Sequence, residues 1–426
     1  MNKAVFLDRD GVIVETKDFI TKTDEIKIFS YAPEAIKRFN RLGYKVIVVT
    51  NQSAVARALC TEEEIKTINN EIIRVLKNEG AIIDAVYYCP HHPEKQYGGN
   101  LKYRIECDCR KPKTGMFERA KKDFNLDFST SFVVGDQTID VKAGESIGCR
   151  TLLVETGYGG QDKKIDIKPD FVCKDLLDAS KYIELLDKLS VIILVGGKGD
   201  RLRPLTDTIP KPLIPINGKP ILQYQIELLR DYGVRKIVIC GHYLFEKIKD
   251  FFGDGSKFGV EIKYIEESSP LGTGGAIKNA ETLISGPFFV FMGDILTNLN
   301  LTSVIDFHIK SGGLGTLVLR ETDHPEDSDL VKIDKNNKVL RLFKKTEKNK
   351  EGNLANTGFF VFNKDFLDLI SNGVSNLEGD IIYNCVNSSD FYGYVSHDYI
   401  KDIGTFKRYE EVQRDIDNGL YRVSTK

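Results

Sequence analysis

Short, uninterrupted apolar runs that end on an Asp- or Gly-bearing turn recur along this chain, and they constrain its fold more than any other feature. The clearest are Ala4–Leu7, Lys45–Thr50, Phe132–Asp136 and Thr151–Thr156. Runs rich in β-branched residues, without polar alternation, suit strands covered on both faces, as in parallel sheets. The segments between them, such as APEAIKRFNRLGY and TEEEIKTINNEIIRVLKNEG, are amphipathic at helical spacing, and Thr61 with Glu64 makes a capping box. The same grammar restarts at Val191–Thr206 and continues through Lys236–His242 and Phe288–Asp294. The expectation is therefore an α/β protein of two Rossmann-like domains, residues 1–186 and 187–426, divided near Leu186–Ser190 after the helix-like DLLDASKYIELLDK.

Composition excludes several function classes. With 426 residues, 41% hydrophobic and 29% charged, the chain is expected to bury sizeable cores. A net charge of −2 and the lack of a basic stripe with interleaved aromatics argue against nucleic acid as a partner. No apolar run approaches the roughly 20 residues of a membrane span, so no membrane partner is expected. Of eight cysteines, Cys89, Cys107 and Cys109 cluster and the others scatter, which reads as a cytoplasmic protein with a metal site and buried thiols. Homo-oligomer formation is left open by the sequence.

In the first half, Asp8 and Asp10 end the first run, two residues apart and so on one side of a strand. Two converging carboxylates imply a cation or a shared proton; taken alone, a solvated pair of acids is the alternative. Thr50, Asn51 and Ser53 add hydroxyl and amide donors after the second run. Arg110 and Lys111 supply cations, and Asp136 and Asp140 follow the third run. Ligands bind at the carboxyl ends of parallel strands, where these groups gather. Cys89-Pro-His91 and Cys107-Asp-Cys109 supply three thiols and an imidazole, the set for a four-coordinate structural Zn²⁺. His91 mirrors the C-x-C spacing better than the neighbouring His92 does.

Asp8-x-Asp10-Gly11-Val12, Thr50, Lys111 and Gly135-Asp136 resemble the four motifs of the haloacid-dehalogenase-like phosphatases. The resemblance implies that Asp8 is a nucleophile forming an aspartyl phosphate. Asp10 would protonate the leaving oxygen and then activate water. Asp8, the Asp10 carbonyl and Asp136 would hold Mg²⁺, Thr50 and Lys111 would hold the phosphoryl group, and Asp140 would stand behind them. The cysteine-rich loop resembles that of the heptose 1,7-bisphosphate phosphatases and, less closely, the histidinol-phosphate phosphatases. Ala54 and Ala58 stand where glycines are common there, while Arg57 remains to hold the phosphate that is not cleaved.

The second half opens on a Gly-rich turn, Gly196-Gly197-Lys198-Gly199-Asp200-Arg201. Glycines let backbone N–H groups approach a triphosphate. Lys211-Pro212, Lys219-Pro220, Leu271-Gly272-Thr273-Gly274-Gly275 and Gly293-Asp294 complete a set that resembles the sugar-1-phosphate nucleotidyltransferases, notably the mannose-1-phosphate and heptose-1-phosphate guanylyltransferases. The resemblance implies a mixed, GT-A-like sheet and attack of a sugar phosphate on the α-phosphorus of an NTP. It assigns Arg201 and Lys211 to the triphosphate, and Asp294 and Asp402 to Mg²⁺. Lys345, Asn356 and Glu378 would line the sugar-phosphate pocket. Asp200 departs from the usual Thr or Ser, and Lys344-Lys345-Thr346 from a common Glu-Lys-Pro. Glu266 and Glu267 precede the second Gly-rich loop; a carboxylate there would accept from guanine N1–H and N2–H₂, which favours GTP, a solvated acid pair being the alternative.

Together the halves point to consecutive steps: removal of the C7 phosphate from a heptose 1,7-bisphosphate, then GMP transfer to the 1-phosphate. The alternative is a phosphatase for another small ester joined to a hexose-1-phosphate uridylyl- or guanylyltransferase.

Overall fold

The computed structural model describes residues 1–15, 19–93, 99–344, 346–347, 351–386 and 388–421, with the side chain of Asp327 also left aside. The chain forms two compact units, Met1–Asp187 and Lys188–Lys426. No helix among the described residues is long and apolar enough to cross a membrane.

In the first unit, the β-branched runs form a six-stranded, wholly parallel sheet of β1 (Ala4–Leu7), β2 (Lys45–Asn51), β3 (Ala85–Cys89), β4 (Phe132–Gly135), β5 (Arg150–Val154) and β6 (Phe171–Cys173), in the order β3-β2-β1-β4-β5-β6. Central β1 is buried at every position, as its unbroken apolar sequence requires. Helices α1 (Ala32–Arg41), α2 (Glu62–Asn78), α3 (Gly115–Phe124), α4 (Thr138–Ser146) and α5 (Leu176–Lys188) connect or follow the strands. The capping box opens α2: Thr61 Oγ1 accepts from Glu64 N–H at 3.2 Å, and Glu64 Oε2 accepts from Thr61 N–H at 2.7 Å. Phe6, Phe117 and Phe128 meet edge to face and lock α3 against the sheet. The carboxyl ends of β1, β2 and β4 therefore lie side by side.

In the second unit the sheet is mixed. Parallel β7 (Ser190–Leu194), β10 (Lys236–Gly241), β11 (Glu261–Glu266) and β12 (Phe288–Met292) continue into antiparallel β17 (Leu354–Phe362), then β14 (Gly315–Glu321) and β18 (Phe391–Val395). A hairpin of β15 (Leu330–Ile333) and β16 (Val339–Phe343) joins at β17. Two small ribbons complete it, β8 (Pro215–Ile216) with β9 (Lys219–Pro220) and β13 (Ile295–Thr297) with β19 (Ile400–Asp402). Its helices are α6 (Ile221–Asp231), α7 (Phe245–Phe252), α8 (Gly272–Asn279), α9 (Leu301–Ser311), the single turn α10 (Tyr383–Cys385) and α11 (Phe406–Asp417). Phe288, Phe360, Phe362 and Phe366 fill the core beneath α8.

Candidate active sites

At the carboxyl end of the first sheet, β1 delivers Asp8, the turn after β4 delivers Asp136, and the first turn of α4 delivers Asp140. Their carboxylate oxygens lie within 4.8 Å of one another, and all three are buried. Lys111 enters the same space, with Nζ 3.0 Å from Asp8 Oδ1, 2.6 Å from Asp140 Oδ1 and 2.7 Å from the Val49 carbonyl oxygen. Burial works against its charge, but Asp140 and Asp8 outweigh burial and hold the ammonium protonated. One cation does not balance three acids. Burial, reinforced by Asp140 and Asp10 and opposed by Lys111, pushes the Asp8 carboxyl up to about 6. Burial and the charges of Asp8 and Asp140 push Asp136 to about 8. Asp136 Oδ2 accepts from the Tyr158 N–H at 2.8 Å, while Oδ1 is buried with no hydrogen-bond partner among the described residues. Surplus negative charge and an orphaned oxygen fit an oxygen-loving divalent cation. Gly11, at φ +80°, is needed here because a Cβ would strike the Asp136 carboxylate.

The surrounding residues divide their tasks. Asp10 does not face this group alone; Arg9 and Gln52 bind its carboxylate. Thr50 is buried at the end of β2 and accepts from Gln52 Nε2 at 2.9 Å. Asn51, expected among the substrate contacts, holds the Lys111 backbone with both ends of its amide, at 3.0 and 3.2 Å. Ser53 is buried and its carbonyl caps Arg57 N–H. The Arg57 guanidinium lies over the Phe19 ring at 5.3 Å. Asp140, expected to stand behind the site, lies inside it as a direct partner of Lys111.

Cys89, His91, Cys107 and Cys109 form a second cluster, completed by His91 rather than His92. Cys89 Sγ lies 3.6 Å from Cys107 Sγ and 3.2 Å from Cys109 Sγ, and His91 Nδ1 lies 3.4 Å from Cys109 Sγ. A tetrahedral ion with metal–sulfur bonds of about 2.3 Å needs edges of about 3.8 Å, so these positions need only open slightly to become a metal-sized cage. Arg110 Nη1 donates to the His91 carbonyl at 3.1 Å, tying the cluster to the segment that carries Lys111.

The second unit encloses a cavity of about 710 Å³ at the carboxyl ends of its parallel strands. Its lining includes Gly196, Gly197, Gly199 and Arg201 of the first Gly-rich turn, Lys211 and Asp294, and Glu267, Gly272, Thr273 and Glu378. Lys211 forms an ion pair with Asp294. Ribbon β13–β19 sets Asp402 beside Asp294: Ile295 pairs with Asp402, and Ile403 N–H donates to the Asp294 carbonyl at 3.0 Å. Burial opposes ionisation of Asp402, but Arg408 at 2.6 Å and the Gly404 amide hold it below the usual carboxylate range. Gln225 of α6 fixes the same turn by donating to the Met292 and Ile295 carbonyls at 2.8 and 2.7 Å.

The two glutamates before the second Gly-rich loop separate cleanly. Glu266 is exposed and pairs with Lys249 at 2.6 Å, whereas Glu267 is buried in the cavity wall, with Oε2 accepting from Leu271 N–H at 2.9 Å. Glu378 lies on a π-helical turn, Leu377–Ile382, a geometry frequent at functional sites. Burial raises its carboxyl, and Asn356 Nδ2 approaches it at 3.5 Å. Lys345 lies outside the described residues. Sequence reasoning missed Gln52 and Gln225, and it gave Arg9 no role; polar residues beside a motif carry no signal of their own.

These folds and sites define a phosphotransfer enzyme of two kinds. Residues 190–419 match the nucleotidyl transferase family model, more than half of the chain, which belongs to that family. Residues 108–179 match the HAD-hydrolase-like model. The D-glycero-beta-D-manno-heptose-1,7-bisphosphate 7-phosphatase of Haemophilus ducreyi is 37% identical over 185 residues, covering 42% of this chain and 98% of that protein. The mannose-1-phosphate guanylyltransferase of Mycobacterium tuberculosis is 33% identical over 237 residues, covering 55% of this chain; the match spans only 66% of that relative's length. The solved structure of HddC from Yersinia pseudotuberculosis complexed with GMP-PN aligns at 29% identity and a TM-score of 0.47, covering 53% of this chain and 99% of that one. The molecule is an enzyme that joins a haloacid-dehalogenase-like phosphatase unit to a nucleotidyltransferase unit.

Proposed function

We propose that the chain makes a nucleotide-activated heptose in two steps: it removes the C7 phosphate of a D-glycero-D-manno-heptose 1,7-bisphosphate, then transfers GMP from GTP to the heptose 1-phosphate. The observation that carries this reading is the buried Asp8–Asp136–Asp140–Lys111 group in a unit similar to bisphosphate phosphatases, on the same chain as a nucleotide-sized cavity.

In the first step, an Asp8 oxygen attacks phosphorus while Asp10 protonates the leaving sugar oxygen. Asp10 then takes a proton from the water that releases phosphate from Asp8. Asp8, the Asp10 carbonyl and Asp136 would hold Mg²⁺, which supplies neutralisation of the phosphate charge. Thr50 and Lys111 hold the phosphoryl oxygens, Arg110 contributes a further cation, and Arg57 holds the distal phosphate. Cys89, His91, Cys107 and Cys109 hold a structural Zn²⁺ that stiffens the loop leading to Arg110.

In the second step the sugar phosphate is already ionised, so no strong base is needed. Arg201, Lys211 and the backbone at Gly196, Gly197 and Gly199 neutralise the triphosphate. Asp294 and Asp402 would hold Mg²⁺. Asn356, Glu378 and Lys345 contact the sugar phosphate, and Glu267, with Gly272 and Thr273 beside it, reads guanine.

The test offers heptose 1,7-bisphosphate and all four NTPs to the intact chain, to Asp8→Asn and to Asp294→Ala, with products read by mass spectrometry. GDP-heptose should form only with the intact chain. Its persistence in Asp8→Asn would sink the coupled reading. The mannose-1-phosphate relatives favour a second reading, a hexose 1-phosphate acceptor, which a sugar-phosphate panel with pyrophosphate readout separates.

A further inference from the structure

Arg9 stands between the two aspartates of the first motif, where a surface residue would be unremarkable, yet its residue is only 1% exposed. A buried guanidinium needs a counter-charge and hydrogen-bond acceptors for its nitrogens. Here the carboxylate is Asp10: Nε donates to Oδ1 at 2.8 Å and Nη2 to Oδ2 at 2.9 Å, the two-point geometry that fixes a carboxylate plane. Arg9 is itself anchored. Nη1 donates to Oδ1 of Asn69, a buried residue of α2, at 2.9 Å, and Nη2 donates to Gln52 Oε1 at 2.9 Å. Gln52 closes the ring by donating from Nε2 to Asp10 Oδ2 at 2.8 Å and to Thr50 Oγ1 at 2.9 Å.

We infer that Arg9 is a positioning residue for Asp10, and that it selects Oδ1 as the oxygen that exchanges the proton. A carboxylate has about four acceptor positions, two per oxygen. Among the described residues, Oδ2 accepts from both Arg9 and Gln52, while Oδ1 accepts only from Arg9 Nε. The remaining position on Oδ1 carries the proton. In the first half-reaction the bond from Asp8 to phosphorus forms, the bond from phosphorus to the ester oxygen breaks, and the proton on Asp10 Oδ1 passes to that oxygen. In the second, a water oxygen bonds to phosphorus, its proton passes to Oδ1, and Asp8 leaves as a carboxylate. The Arg9–Gln52 clamp keeps the plane of Asp10 constant through both transfers and links it to Thr50.

This inference rests on the phosphatase reading of the site, and the experiment keeps the two apart. Single-turnover release of the leaving group is measured with Mg²⁺ for an alkyl ester, a sugar phosphate, and for p-nitrophenyl phosphate, whose leaving group needs no proton. General acid catalysis contributes roughly 10²- to 10⁴-fold. Arg9→Met should slow the alkyl ester about 100-fold or more and the aryl ester less than about fivefold, on the same scale. Arg9→Lys should recover part of the alkyl rate. Asn69→Leu, which loosens Arg9 without touching Asp10, should show the same selectivity more weakly and serves if Arg9→Met does not fold. Equal slowing of both esters, or faster alkyl cleavage once the clamp is gone, would overturn the positioning role while leaving the phosphatase reading intact. An intact chain that hydrolyses neither ester removes that reading and this one with it.

Discussion

Lys111 Nζ sits 2.6 Å from Asp140 Oδ1, with both side chains only 2% exposed. Breaking a buried pair from one side leaves an uncompensated charge. Lys111→Ala would leave the buried Asp8 and Asp140 without their cation, and should destabilise the phosphatase unit by about 3 kcal/mol or more. Asp140→Asn should cost less, because Asp8 still faces the lysine at 3.0 Å. Denaturant unfolding of both variants checks the ranking, with nucleotidyl transfer as the internal control for the other unit.

Magnesium affinity at the first site should rise with pH. Asp136, raised to about 8, keeps its proton at neutral pH while the site is metal-free, so binding must expel it. Because the folded carboxyl lies above its unfolded value, the fold holds more protons than the unfolded chain between about pH 4 and about 8. Metal-free stability contributed by this group is therefore present at low pH and lost as pH rises through that window, and Mg²⁺ should restore it. Calorimetry in buffers of different ionisation enthalpy should record about one proton released near pH 7.

Replacing Cys107 by Ala, or stripping the cluster with a chelator, should remove about one zinc per chain and loosen the loop that carries Arg110. Phosphate release should fall while pyrophosphate release is unchanged. Metal analysis beside the two assays decides it; full phosphatase activity in a zinc-free chain would count against a structural ion.

His308 gives the second unit an acid weakness. Burial pushes its imidazole down to about 4, with Nδ1 2.9 Å from Thr316 Oγ1. Its stabilising contribution is complete above the unfolded value of about 6.5 and is lost as pH falls from there toward about 4, where the folded form also takes up the proton. The full loss is about 3 kcal/mol. Thermal melting against pH should show this slope in the intact chain and a flatter one in His308→Asn.

Glu267→Gln keeps the shape of the cavity wall but exchanges one acceptor for a donor. It should lower use of GTP at least tenfold relative to the other NTPs, an effect of about 1.4 kcal/mol on the competition between substrates. Glu266→Gln should change nothing, since Glu266 faces solvent and Lys249. An NTP competition assay reads both.

The parallel strands were legible because full burial leaves an uninterrupted apolar signature: Ala4–Leu7 and Phe288–Met292 fall where their sequences put them. The half of the second sheet beyond β12 was less so. Strand β18, Phe391–Val395, alternates buried and partly buried positions and has no motif at its end. Motif residues such as Asp8, Lys111 and Asp294 could be read because their spacing carries chemistry. Arg9, Gln52 and Gln225 could not, because their partners are fixed only by the tertiary fold. Asp140 lay between these cases: its motif was visible, but its place beside Lys111 depends on the turn that starts α4. Glu266 and Glu267 are neighbours in sequence, of which Glu267 was the one expected at the substrate, and the end of β11 turns Glu266 outward and Glu267 inward.

The units meet in sequence at Asp187 and Lys188, with α5 ending at Lys188 and β7 beginning at Ser190. With so little chain between them, every ribosome that completes the first catalyst goes straight on to the second. The cell cannot adjust their supply separately: gene dosage, messenger abundance and degradation act on both in the same proportion. Any balance of flux between the two steps must therefore be set by turnover numbers and substrate levels, not by the relative abundance of the enzymes.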